Sequence, residues 1–247
     1  MRIIKYISDI HLERRFKPIV FSEKTLGGDI FIAGDIGSPL KKSYWSFMDY
    51  VAANFNRVFF VTGNHEYWNR DGYSINNINT IIEDKIQKYN NVFFLNNSIY
   101  STKHYDIIGT TLWSEPFNNL YNSIDFMNIY YDNNELMTPQ SMRLLHNQNK
   151  LWLKKSIYSN NKPKIIMTHY LPSFKLTKKY KRYLKLQSLF ASNMENYLKS
   201  PVILWIHGHV HYNRTILIKN IPCIVNAPGY YNNARLKEFK LSKHKCI

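Results

Sequence analysis

Short apolar runs recur along the chain, and small or polar residues follow each of them. The runs contain three to five residues, mostly Ile, Val and Phe, and such runs are typical of strands that are buried on both faces. The five runs that precede polar motifs lie at residues 3–7, 30–33, 58–61, 165–167 and 202–206. Further strands are predicted at residues 92–95, 105–108, 215–218 and 223–225.

Longer segments between the strands have apolar residues at three- and four-residue spacing, which predicts helices. These segments lie at residues 43–55, 75–89, 138–158 and, for a shorter helix, 190–198. The third begins with Thr138 and Pro139, an N-cap residue followed by proline at the first helical position. Because strands alternate with helices, the sequence predicts an α/β fold. We find no linker, repeat or low-complexity tract and therefore expect one domain over residues 1–247.

Each of the five main strands is followed by residue types that bind metal ions. In α/β folds, functional sites gather beyond the carboxyl ends of the strands, so side chains placed there are expected to meet. The residues concerned are Asp9 and His11, Asp35, Asn64 and His65, His169, and finally His207, His209 and His211.

A single histidine carries little weight, because most isolated histidines are simply hydrogen-bonded residues. The alternative to a metal site is therefore a set of five unrelated polar loops. That alternative leaves unexplained why six of the nine histidines follow strands. The sequence thus predicts one metal site built from all five loops.

The charge and the composition indicate a class of partner and a cellular compartment. The formal net charge is +16, from 33 basic and 17 acidic residues, and such a field attracts polyanions such as nucleotides or nucleic acid. A solvated basic surface is the alternative. The two cysteines, Cys223 and Cys246, lie far from the polar motifs and favour a reducing compartment. We find neither a signal peptide nor an apolar run of about 20 residues, and expect a cytoplasmic protein without a membrane segment.

The order of the motifs resembles the calcineurin-like metallophosphoesterases. Their signature blocks are Asp-x-His, Gly-Asp, Gly-Asn-His-Asp/Glu, His and Gly-His-x-His, and all five occur in order between Asp9 and His211. The segment Ser8-Asp9-Ile10-His11-Leu12-Glu13 is also similar to a bacterial and phage branch, and the similarity covers nearly the whole chain. Near the end, this chain has Asn226-Ala227-Pro228-Gly229-Tyr230 where the branch has Asn-Pro-Arg-Gly-Tyr. If that arginine contacts substrate, the departure concerns the choice of substrate rather than the metal chemistry.

The resemblance implies a fold and a ligand set. The fold is an αββα sandwich, in which two packed mixed β-sheets are flanked by helices. The resemblance also implies two divalent ions, with Asp35 shared between them. The first ion is expected at Asp9, His11, Asp35 and His211, and the second at Asp35, Asn64, His169 and His209. Nitrogen and oxygen ligands suit Mn, Fe, Zn, Co or Ni, and we expect Mn to support activity in vitro.

His65 is not needed as a ligand in this scheme, because Asn64 fills that role. We expect His65 to protonate the leaving oxygen as general acid. Glu66 either orients His65 or forms a surface salt bridge. His207 either supports the ligands from behind or is merely a histidine at a strand end, and we favour the second.

A basic segment follows His169 and gives the only hint of the substrate. Residues 173–185 carry six basic residues interleaved with aromatics, in an insertion at about residues 172–187. Such a segment can grip a nucleic acid backbone and stack on bases, although a solvated basic helix or loop is the alternative. The candidate substrate contacts are Lys175, Lys178, Lys179, Tyr67 and Tyr230, with Trp68 as a further candidate for the pocket wall.

Three functions remain open at this point. The first is a phosphodiesterase that acts on nucleotides or nucleic acid. The second is a phosphomonoesterase that acts on proteins or small molecules with the same metals. The third is a non-catalytic binding module, which the complete ligand set and His65 disfavour. The oligomeric state stays undetermined.

Overall fold

Two β-sheets form the centre of the protein. The computed structural model describes residues 2–15, 18–117, 120–121, 123–177, 184–228 and 237–241. The first sheet has the spatial order β13 (Lys237–Leu241), β1 (Arg2–Ile7), β2 (Asp29–Ala33), β3 (Arg57–Val61), β4 (Val92–Phe94). The second has the order β11 (Asn213–Ile218), β12 (Ile221–Asn226), β10 (Val202–Ile206), β9 (Lys164–Thr168), β6 (Asp106–Thr110), β5 (Ser98–Ser101).

Both sheets are mixed. Strands β1 to β4 run parallel, and β13 pairs with β1 in the antiparallel direction. In the second sheet, β12, β10, β9 and β6 run parallel, whereas the edge strands β11 and β5 are antiparallel. A small antiparallel ribbon consists of β7 (Tyr130–Asp132) and β8 (Glu135–Leu136).

The helices confirm most of the predicted periodicity. They are α1 (Lys42–Asn54), α2 (Ile75–Ile86), α3 (Asp125–Asn128), α4 (Pro139–Ile157) and α5 (Leu184–Gln187). At the start of α4, the Thr138 side chain accepts a hydrogen bond from the backbone amide of Ser141, and Pro139 occupies the first turn. This is the cap that the sequence predicted.

The predicted helix at residues 190–198 is wrong. Only Glu195–Tyr197 forms a 3-10 turn there. The chain before it pairs instead with the segment after β9, since the amide of Leu171 donates to the carbonyl of Phe190 and the amide of Ser192 donates to the carbonyl of Leu171. These bonds use the backbone groups that a helix would need.

The sheets pack face to face, and alternate side chains along the strands belong to different core clusters. On β2, Phe31 and Ala33 join a core cluster that includes residues of the second sheet, whereas Ile30 and Ile32 join a cluster with α1 and α2. This is the period of two that a strand imposes on its side chains. The strand is buried on both faces, and this explains its continuous apolar run.

The second sheet repeats this arrangement. Ile166 and Trp205 pack in one cluster with Leu153 and Ile157 of α4, on the side away from the first sheet. Helices therefore cover the outer faces of both sheets, and the expected αββα architecture is confirmed. Among the described residues, every helix is too short or too polar to cross a membrane.

Candidate metal centre

The predicted ligands meet where the carboxyl ends of the two sheets adjoin. Asp9 and Asp35 follow β1 and β2, while His169 and His209 follow β9 and β10. Two hydrogen bonds connect the loops at this edge, the first within the second sheet and the second between the two sheets. The amide of Gly208 donates to the carbonyl of His169 at 3.0 Å, and the amide of His209 donates to the Asp9 carboxylate at 2.9 Å. The fold thus places residues from both ends of the chain in one cluster.

Several of these residues have an unusual backbone conformation. Positive φ angles are rare outside glycine and cost free energy, so they concentrate where function requires them. Four candidate ligands have φ between 51° and 68°, namely Asp9, His11, Asp35 and His209. Gly34 shares this region at φ 82°, and a Cβ atom there would lie 2.6 Å from Nδ1 of His169. The Gly-Asp motif therefore needs its glycine both for the turn and for the close approach.

The first group of ligand atoms belongs to Asp9, His11 and His211, whose candidate atoms all lie within 4.8 Å of one another. The Nε2 atoms of His11 and His211 are 3.0 Å apart. Nε2 of His211 lies 3.7 Å from Oδ1 of Asp9. Oδ2 of Asp35 lies 3.8 Å from Nε2 of His11, so Asp35 borders this group.

The second group belongs to Asp35, His169 and His209, again within 4.8 Å. Nε2 of His169 lies 3.4 Å from Oδ2 of Asp35 and 3.1 Å from Nδ1 of His209. It also lies 3.1 Å from Oδ1 of Asn64. The same oxygen of Asp35 therefore faces both groups, as a shared ligand requires.

The hydrogen bonds on the outer side of the imidazoles fit a cation at the centre. Nδ1 of His169 bonds to the carbonyl of Ala33 at 2.8 Å, and Nε2 of His209 bonds to the carbonyl of Leu189 at 3.3 Å. In the neutral form of each ring, this bond uses the proton and leaves a lone pair on the inner nitrogen. Nε2 of His169 then lies 3.1 Å from the Asn64 oxygen and 3.1 Å from Nδ1 of His209, and none of these three atoms carries a proton to donate. A metal ion resolves this arrangement.

The electrostatics support the same conclusion. Burial lowers the pKa of His169, but the charges of Asp35 and Asp9 outweigh burial and raise this pKa to about 9. Burial raises the pKa of Asp35, but the neighbouring histidines outweigh it and hold the pKa well below the usual range. The carboxylates thus favour positive charge at the point where the imidazoles converge, and a divalent cation bound to the neutral rings would supply it in place of a proton.

Glu66 has a role that neither sequence-based alternative included. Its buried carboxylate accepts hydrogen bonds from the backbone amides of Asp35 at 3.0 Å, Ile36 at 2.6 Å and Gly63 at 2.6 Å. Burial and the charge of Asp35 raise its pKa to about 7. Glu66 therefore ties the loop after β2 to the loop after β3, and it neither orients His65 nor forms a surface salt bridge.

Glu13 contacts His65 instead. Oε1 of Glu13 lies 2.9 Å from Nδ1 of His65 and 3.2 Å from Nδ1 of His11. Burial raises the pKa of Glu13, but these hydrogen bonds outweigh it and lower the pKa to about 2. One carboxylate thus fixes a candidate ligand and the candidate acid together. The sequence analysis missed it, although its position two residues after His11 was the available signal.

Asp125 is a second residue that the sequence analysis missed. It is buried, and its Oδ1 atom accepts from Nδ2 of Asn64 at 2.8 Å and from Nε1 of Trp68 at 2.7 Å. The bond to Asn64 turns the amide so that its oxygen faces His169. Asp125 follows no predicted strand, so the sequence offered no signal for it.

The predicted substrate contacts lie elsewhere or outside the described residues. Tyr67 is buried in the core, with its hydroxyl near Thr62 and Asn79, so it does not line the cleft. Lys175 is exposed and pairs with Glu195 at 2.7 Å. Lys178, Lys179 and Tyr230, together with part of the basic insertion, lie outside the residues that the structure describes.

His207 is buried beside the site without joining it. Its Nδ1 atom lies 3.2 Å from the carbonyl of Gly208, and within the described part of the chain its Nε2 atom has no hydrogen-bond partner. Burial lowers its pKa to about 4. The favoured expectation, a histidine at a strand end, agrees with this position.

Comparisons with known proteins agree with the geometry. The sequence model of the calcineurin-like phosphoesterases matches residues 3–213. The chain is 30% identical to the uncharacterized protein L509 of Acanthamoeba polyphaga mimivirus, over 93% of this chain and 92% of that protein. Its fold is similar to that of phosphopantetheinyl hydrolase from Mycobacterium tuberculosis, with a TM-score of 0.70, 13% identity, and coverage of 98% of this chain and 96% of that one. The chain therefore belongs to the calcineurin-like phosphoesterase family and is a metal-dependent hydrolase of phosphate esters.

Proposed function

We propose that the protein is a phosphodiesterase that uses two divalent ions and acts on nucleotides or nucleic acid. The observation that carries the proposal is the pair of ligand groups that share Oδ2 of Asp35, at 3.8 Å from His11 and 3.4 Å from His169. Two ions held there would polarise the phosphoryl group and activate a water molecule for in-line attack. Mn is our first choice for activity in vitro, because the ligands are nitrogen and oxygen atoms.

His65 is the proposed general acid. Glu13 holds its Nδ1 atom at 2.9 Å, so we assign the delivery of a proton to the leaving oxygen to Nε2. Burial lowers the pKa of His65, but the charges of Asp35 and Glu13 outweigh burial and raise it. A raised pKa favours the protonated ring, which an acid for an alkoxide leaving group requires.

The proposed ligands keep distinct roles. Asp9, His11 and His211 would hold one ion, while Asn64, His169 and His209 would hold the other. Asp35 would lie between the two ions. Each outer hydrogen bond described above fixes the ring of a ligand, so little rearrangement is needed on metal binding.

A phosphodiester is favoured over a phosphomonoester by charge. A diester carries one negative charge, whereas a monoester carries about two at neutral pH. The described residues that line the cleft include Asp35 and Asp125 but neither lysine nor arginine. Beyond the two proposed ions, such a lining supplies no positive side chain for the second charge of a monoester.

A substrate panel tests the proposal. Metal-free protein is loaded with Mn and assayed on bis-p-nitrophenyl phosphate, p-nitrophenyl phosphate, 2′,3′-cyclic nucleotides and a phosphopeptide. We expect kcat/KM to be at least tenfold higher on the diesters than on the monoesters. Faster hydrolysis of p-nitrophenyl phosphate or the phosphopeptide would identify a phosphomonoesterase. Absence of hydrolysis with each of Mn, Fe, Zn, Co and Ni would refute the catalytic proposal.

A further inference from the structure

A cleft of about 420 Å³ opens beside the ligand groups. Asp35, Asn64, His65 and His209 lie on its floor, and its walls carry aromatic and aliphatic side chains. Trp68 lies against His65, and Ile124, Phe190 and Tyr212 also line the cleft. The metal centre is therefore bordered by a partly apolar space that is large enough for more than a phosphoryl group.

Trp68 is held in place before any ligand binds. Its Nε1 atom donates to Oδ1 of the buried Asp125 at 2.7 Å. Its indole ring stacks on the imidazole of His65, with ring centroids 3.6 Å apart and planes inclined by 27°. Because a hydrogen bond fixes the edge of the Trp68 ring and stacking fixes one face, the side chain loses little conformational entropy when a ligand packs against it.

The position of Trp68 relative to the reaction follows from that of His65. A general acid must lie at the oxygen of the leaving group, because it donates a proton to that atom. This step rests on the proposed function. The side chain that stacks on His65 therefore borders the leaving group rather than the attacking water.

Phe190 and Tyr212 are anchored as well. The Phe190 ring lies 4.9 Å from the ring of His209, and the Tyr212 hydroxyl donates to the carbonyl of Leu176. Aromatic rings in a fixed frame are suited to planar ligands, and a base stacks favourably on an aromatic side chain. Asp125, the lining carboxylate outside the proposed ligand set, would by contrast repel further phosphates.

We propose that Trp68, fixed by Asp125, is the platform on which the substrate's leaving group stacks, and that this group is a nucleoside. The preferred substrate then has a single phosphodiester next to a base. Nucleoside di- and triphosphates would be poorer ligands, because the described lining of the cleft offers their additional charges Asp125 and neither lysine nor arginine. The base makes its contact through the π face of the indole, so the preference among bases is weak.

Binding of adenosine tests the inference separately from catalysis. Saturation-transfer NMR is recorded with adenosine and ribose together, on protein freed of metal by EDTA. We expect the base protons of adenosine to receive more saturation than the ribose protons of either compound. Trp68→Leu should remove this difference, while Trp68→Phe should retain most of it. Trp152→Leu, a partly buried tryptophan outside the cleft, is the matched control.

Inhibition gives the second measurement. With Mn-loaded protein and bis-p-nitrophenyl phosphate, adenosine should inhibit competitively, and ribose at the same concentration should not. Trp68→Leu should raise the inhibition constant of adenosine about tenfold, as loss of one stacking contact implies. Equal binding of adenosine by wild type and Trp68→Leu would overturn the inference while leaving the proposed function intact. Adenosine binding without any hydrolysis would instead refute the function and keep the platform.

Discussion

Nδ1 of His65 lies 2.9 Å from Oε1 of Glu13, a residue 52 positions earlier in the chain. The same oxygen lies 3.2 Å from Nδ1 of His11. A single carboxylate therefore connects the candidate acid with a candidate ligand, so a change at Glu13 should affect both proton transfer and metal affinity.

Glu13→Ala should lower turnover about tenfold on diesters with alkoxide leaving groups, because His65 loses the partner that fixes its ring. The effect on bis-p-nitrophenyl phosphate should be smaller, since p-nitrophenolate leaves without protonation. Glu13→Gln retains an acceptor oxygen and should recover part of the activity. Equal loss on both types of substrate would indicate a metal-binding defect only, and metal content measured in parallel distinguishes the two.

His65→Ala should keep its bound metal and lose most of its turnover on substrates with poor leaving groups. General acids contribute about 10²–10⁴-fold to rate. His104→Ala, which alters an exposed histidine outside the site, is the control. Unchanged kcat on 2′,3′-cyclic nucleotides would remove His65 from the acid role.

Asp35→Asn should abolish the loading of two metals per chain. An amide oxygen carries no negative charge and bridges two cations poorly, whereas the charged Oδ2 atom of Asp35 faces both His11 and His169. Metal content per chain, measured by mass spectrometry after dialysis, gives the stoichiometry. Two ions in the variant would contradict the shared-ligand assignment.

Glu66→Gln should destabilise the protein by about 2–3 kcal/mol, because an amide NH₂ group would replace one of two oxygens that accept backbone amide hydrogen bonds. In the wild-type protein, the two carboxylate oxygens of Glu66 accept hydrogen bonds from the backbone amides of Asp35, Ile36 and Gly63. Urea unfolding followed by circular dichroism measures the change. A loss below about 0.5 kcal/mol would mean that water replaces these bonds.

Asp106 provides a test of acid stability far from the site. It is buried and accepts a hydrogen bond from the buried Lys164 at 2.6 Å. Burial raises its pKa, but the bonds from Lys164, Asn160 and Ser101 outweigh burial, and the net pKa is lowered. A carboxylate with a lowered folded pKa stabilises the protein fully above its unfolded pKa of about 3.9. This contribution is lost as the pH falls below that value.

Asp106→Asn should therefore cost about 3–5 kcal/mol at pH 7, because Lys164 remains buried without its counter-charge. The difference from wild type should shrink as the pH falls below 3.9. Asp49→Asn is the control, since the pair of Asp49 and Lys88 is exposed and its loss should change stability little. A constant difference at all pH values would contradict the linkage.

The sequence predicted that the candidate ligands would lie together because they combine two strong signals. Each is a metal-binding residue type, and each follows an apolar run at a strand end, so their meeting follows from the topology of parallel strands. Glu13 and Asp125 lack the second signal. Glu13 does not directly follow a strand, and Asp125 bonds to Asn64, which lies 61 positions earlier in the chain.

Short-range sequence patterns led to wrong predictions at Glu66 and at residues 190–198. Glu66 is adjacent to His65, but both lie in a 3-10 turn that directs successive side chains differently. Residues 190–198 have helical spacing, yet part of their backbone pairs with the segment after β9. In both cases, tertiary hydrogen bonds decided a structure that short-range patterns could not predict.

The hydrogen bond from the backbone of His209 to Asp9 joins residues that are 200 positions apart. During synthesis, the ribosome would release Asp9, His11 and Asp35 long before His209 and His211. A nascent chain that ends before β10 would therefore carry a strained, negatively charged half-site without the imidazoles that complete it. Metal capture and catalysis would begin only when the second sheet closes on the first, so the order of synthesis itself would delay activity until folding is nearly complete.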